Sequence, residues 1–131
     1  MATSIQTVGE RAEAFNDLDL IAIVRLLGQE AAARPGEYSA ITAVLARWER
    51  NLAAYGPGTI DLNFNDLASS DKRRSELILL LAAVDKGVGQ FGKTIPSSVL
   101  NDRCAVPGVT FQDYPISLLR LAMTRLRGLL G

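Results

Sequence analysis

The sequence predicts an all-α fold: a compact single domain over residues 1–131, with about five helices around a central apolar helix at about 66–86 and one extended loop at 57–65. Three observations predict it. Leu (19) and Ala (17) outnumber Ile, Val and Thr (8, 8 and 7), so local propensity leans to helix over sheet. Apolar residues recur at three- and four-residue spacing over most of the chain. A length of 131 residues, 48% of them hydrophobic, supplies one core and leaves little for a second.

Ile5, Val8, Ala12 and Phe15 follow this spacing and predict an amphipathic first helix. Asn16 is suited to cap a second, with Asp17 and Asp19 in its first turn, where the helix dipole favours negative charge. Leu20, Ile21, Val24 and Leu27 give that helix a buried face, and Arg34-Pro35-Gly36 ends it; a continuous bent helix from Ser4 to Ala33 is the competing reading. In the third helix Ile41, Val44, Leu45, Trp48, Leu52 and Tyr55 fall within about 100° of arc, with Trp48 as the core anchor. Gly56-Pro57-Gly58 closes it.

From Thr59 to Asp66 the period changes to two, with Ile60, Leu62 and Phe64 apolar between polar Asp61, Asn63 and Asn65. No strand partner is evident, so the segment reads as a loop pinned by its apolar side. The central helix then runs to about Lys86 and is apolar nearly all round, which places it in the middle of the bundle. A short helix follows Pro96, and Ile116 starts a strongly amphipathic last one.

Lys plus Arg is 14 and Asp plus Glu is 14, so total charge gives no support for nucleic acid or a membrane surface as partner. Charge is uneven, however: residues 1–33 carry two basic and five acidic groups, and residues 92–131 five basic and two acidic, so the two ends are expected to lie together. His is absent and Cys is single, which excludes His-based catalytic dyads, zinc sites of His or paired Cys, and internal disulfides. Cys104 reads as an inert thiol. The polar start and a longest apolar run of only Leu77 to Val84 point to a soluble cytoplasmic chain.

Gly87-Val88-Gly89-Gln90-Phe91-Gly92-Lys93-Thr94 satisfies G-x-x-x-x-G-K-[ST] and resembles the P-loop nucleoside triphosphatases over these eight residues. The resemblance implies a phosphate cradle built on Gly87 and Gly92, with Lys93 and Thr94 reaching the terminal phosphates and magnesium. The helical surroundings favour a plainer reading, in which Gly87 caps the central helix and the other glycines form a loop. Asp61 to Asp66 resembles the opening of an EF-hand calcium loop, but Asp66 replaces the turn glycine and Lys72 stands where the bidentate Glu belongs, so no metal is expected there. Lys72-Arg73-Arg74 crowd the positive end of a helix, and either solvation or pairing with Asp61 and Asp66 offsets that.

The expected function is therefore non-catalytic, with no cofactor: a cytoplasmic module that binds another protein, in its narrower form an immunity or antitoxin-type inhibitor of a partner toxin. Tyr55, Asp61, Phe64, Asp66, Asp113 and Tyr114 are its expected interface, because aromatics flanked by charge suit anchors. The alternative is nucleotide binding or hydrolysis at Gly87 to Thr94.

Overall fold

The computed structural model describes residues 2–131. Its elements are β1 (Thr3–Val8), β2 (Arg11–Asn16), α1 (Asp17–Ala33), α2 (Thr42–Ala53), α3 (Phe64–Ala68), α4 (Asp71–Gly89), β3 (Thr94–Ile95), α5 (Ser97–Arg103), β4 (Tyr114–Pro115) and α6 (Ile116–Leu129). β1 pairs antiparallel with β2, and β3 with β4. The chain is thus a mixture of α and β, which corrects the all-α expectation.

The correction lies in residues 3–16, where the expected helix is a hairpin with Ile5 opposite Ala14 and Val8 opposite Arg11. Thr3, Ile5, Thr7 and Val8 are β-branched and favour extended backbone. Gly9 has φ 59 at the first central position of the two-residue turn, where a type II′ turn takes glycine. The helical spacing of Ile5, Val8, Ala12 and Phe15 was coincidental. Ile5 is 64% exposed, while the residues that β1 buries are polar Ser4 and Gln6, at 1% each.

Those two side chains explain the neighbouring segment. From Gly58 to Asn65 the chain runs alongside β1 in the same direction, joined to it by side chains instead of a backbone ladder. Gln6 Nε2 donates to the Ile60 carbonyl at 2.7 Å and Gln6 Oε1 accepts from Leu62 N at 2.9 Å. Ile60 N donates to Ser4 Oγ, and Gly9 N to Asn65 Oδ1. Trp48 Nε1 donates to the Leu62 carbonyl at 2.8 Å from the opposite element, α2. Alternation therefore survives in burial, with Ile60, Leu62 and Phe64 inside, although the main chain lacks a strand partner. Asn63 turns the segment into α3 with φ 52, its N–H taken by Asp61 Oδ1.

The most enclosed helix is α1, not the one at about 66–86: Leu20, Ile21, Ala22, Ile23 and Val24 are all 1% exposed or less. α2, α4, α5 and α6 pack around it. The stretch expected as one central helix is divided, α3 ending at Ala68 and α4 starting from an N-cap at Ser70, whose side chain accepts from Arg73 N. α4 then continues through Gly87 to Gly89, so Gly87 lies inside the helix and does not cap it. α2 has no capping side chain of its own; buried Glu76 of α4 accepts from Ala40 N and Ile41 N and serves that end.

Candidate functional site

Residues expected at an interface are largely committed to holding the fold. Phe64 is 2% exposed and packs edge-on against Trp48, with centroids 5.9 Å apart. Tyr114 is buried, lies edge-on to Phe111 and donates its hydroxyl to Asp19 Oδ1. Tyr55 is half-buried and donates to Asp17 Oδ2 at 2.8 Å. Asp113 accepts from Ser97 N and so caps α5. Asp66 is paired with Arg47 and Arg73. Asp61 is exposed and holds the Asn63 turn. Tyr55 and Tyr114 both meet the first turn of α1, through Asp17 and Asp19; Asp61 belongs to the segment beside β1, Phe64 and Asp66 to α3 that follows it, and Asp113 lies at the start of α5.

Burial raises the Tyr114 hydroxyl far above the usual phenol range, and its bond to Asp19 adds to that. Asp19 is raised by burial, against the opposing effects of the Tyr114 hydrogen bond and the Arg125 charge. Burial and the Asp17 carboxylate push Tyr55 up to about 12. Each tyrosine thus works as a protonated donor to a carboxylate. Cys104 is fully buried, and its thiol is pushed up to about 11 chiefly by burial.

In the glycine-rich stretch, Gly87 and Gly89 are part of α4, Gly92 turns the chain with φ 86, and Thr94 begins β3. Lys93 and Thr94 are exposed. A phosphate-binding loop runs from a buried strand into a helix, whereas this one leaves a helix and enters a two-residue strand. The cations that start α4 are offset by pairing: Arg73 with Asp66 and Arg74 with Asp71, while Lys72 is exposed.

An exposed apolar stripe lies on the outer side of α6. At 100° per residue Leu118, Leu121 and Arg125 share one stripe. Leu118 is 51% exposed and Leu121 57%. Arg125 carries the stripe onto the hairpin, donating to the Ala14 carbonyl at 2.8 Å, pairing with Glu13, and stacking over Phe15 at 4.6 Å. The oppositely charged ends of the chain are joined here and by Arg11, which donates to the Leu129 carbonyl. The sequence pattern places Leu118 with Leu119, Ala122, Met123, Leu126, Leu129 and Leu130 on the apolar side of α6, opposite Ser117, Arg120, Thr124 and Arg127, and assigns Leu121 to neither side; the structure instead leaves Leu118 exposed together with Leu121, whose place on the wheel was the available signal. No helix among the described residues is long and apolar enough to cross a membrane. No family model, curated protein or solved structure matches the chain.

Proposed function

We propose that the chain is a non-catalytic protein-binding module and that its narrower role is to inhibit a partner toxin by direct binding, in a cytoplasmic setting that keeps Cys104 reduced. The carrying observation is the exposed pair Leu118 and Leu121, one turn apart on a helix whose opposite face is fixed in the core. Exposed leucines with a charged border match the apolar centre and polar rim of an interface. Arg125 supplies part of that rim and anchors the helix to the hairpin, so the face is presented rigidly. Asp61 and Asp113, both exposed, add negative charge elsewhere on the surface.

Co-expression with the product of the neighbouring reading frame tests this reading. The wild-type chain is expected to form a stable complex and relieve that product's toxicity, and Leu118→Lys/Leu121→Lys to do neither while remaining folded. A complex and a protection unchanged by the double substitution would remove the basis of the proposal.

A further inference from the structure

An open groove of about 540 Å³ runs between α1 and α2, within the size range of small-molecule sites. Its walls are mainly apolar, from Ala31 and Ala32 on α1, Leu45 and Ala46 on α2, and Tyr38 in the connection. At one end stands an ion pair, Arg25 Nη1 to Glu49 Oε2 at 2.5 Å. Gly28 permits it: a Cβ there would lie 2.6 Å from Glu49 Oε1, so the bare backbone of α1 is what lets the carboxylate of α2 lie against it. Glu49 holds the guanidinium at one corner only. Arg25 Nε is enclosed and has no acceptor, while the side chain as a whole is 32% exposed and lines the cleft. Arg34 at the rim is already shared between Glu30 and Glu37.

We infer that this groove binds a small apolar molecule bearing one carboxylate, its body against the alanines and Leu45 and its carboxylate against Arg25. Planar guanidinium donors suit a carboxylate, and a partly desolvated cleft strengthens that bond. The site is separate from the α6 face, since neither Leu118 nor Leu121 lines it. Its failure and the failure of the protein-binding proposal are therefore independent.

Titration calorimetry and amide shift mapping with 1-naphthoate, 1-naphthalenemethanol and 1-naphthylmethylammonium test the inference. Naphthoate is expected to saturate, with shifts centred on Ala31, Ala32 and Ala46, and the alcohol and the ammonium to bind about tenfold more weakly or worse. Ala46→Phe, at an exposed position, fills the groove and is expected to weaken naphthoate by about tenfold or more. Arg25→Gln/Glu49→Gln removes both charges together, so neither partner is stranded, and it is expected to abolish the preference for naphthoate over the alcohol. Absence of saturation, shifts centred elsewhere, equal binding of the three probes, or indifference to Ala46→Phe would each overturn the assignment.

Discussion

The Ser4 hydroxyl donates to Asp17 Oδ1 at 2.6 Å, joining the inward face of β1 to the first turn of α1 through a carboxylate that is 2% exposed. Asp17 Oδ2 accepts from the Tyr55 hydroxyl and from Gly58 N, both at 2.8 Å. One buried anion therefore gathers the hairpin, the end of α2 and the segment beside β1, and the dipole of α1 favours charge at that place.

Asp17→Ala strands all these donors. The expected loss is about 3 kcal/mol or more, and about 1–2 kcal/mol for Ser4→Ala, which strands only part of the set. Urea unfolding followed by Trp48 fluorescence reads both, and equal losses would contradict the shared role of the carboxylate.

Gln6→Leu keeps the side-chain volume but leaves the Ile60 carbonyl and Leu62 N without partners. The expected cost is about 2–4 kcal/mol. Amide exchange at Leu62 should accelerate in this variant, and unchanged exchange would show that Gln6 does not hold the segment.

Alkaline pH should weaken the fold through its tyrosines. An unfolded tyrosine ionises near 10, whereas Tyr55 is pushed up to about 12. Because the native chain keeps a proton that the unfolded chain has released, this stabilisation is complete below about pH 10 and is lost as pH rises through about 12. Tyr114 shifts in the same direction. Tyr55→Phe should flatten the alkaline fall in stability, and an unchanged slope would contradict the assignment.

Cys104 is 0% exposed with its thiol pushed up to about 11. An aromatic disulfide reagent at pH 8 should react with it only as fast as the chain opens, and mild urea should accelerate the reaction. Rapid native reaction would show that the thiol is accessible.

The helical parts of the fold were legible because their apolar periodicity and their caps agree: Asn16 caps α1 through Leu18 N, with Asp17 and Asp19 following. The hairpin was hidden because its buried residues, Ser4 and Gln6, are polar, and hydrophobic periodicity cannot register them. Its legible signals were Gly9 at the turn and the β-branched run. Residues 59–63 form neither a helix nor a paired strand, as the alternation of Ile60 and Leu62 implies, but Phe64 and Asn65 belong to α3, and the side-chain clamps that fix the segment come from residues more than fifty positions away. Interface residues chosen from aromatic character fell mainly on side chains that the core consumes, Phe64 and Tyr114 among them, because residue type alone does not say which way a loop aromatic turns.

Photo-crosslinking in the native cell tests the central claim most directly, with a benzophenone amino acid at position 118 or 121 and, for comparison, at exposed Gln90 on another part of the surface. A discrete adduct with one protein from 118 and 121, absent from 90, is the predicted result. The same adducts from all three positions, or none from 118 and 121, would contradict the assignment of the outer face of α6 as a protein-binding surface.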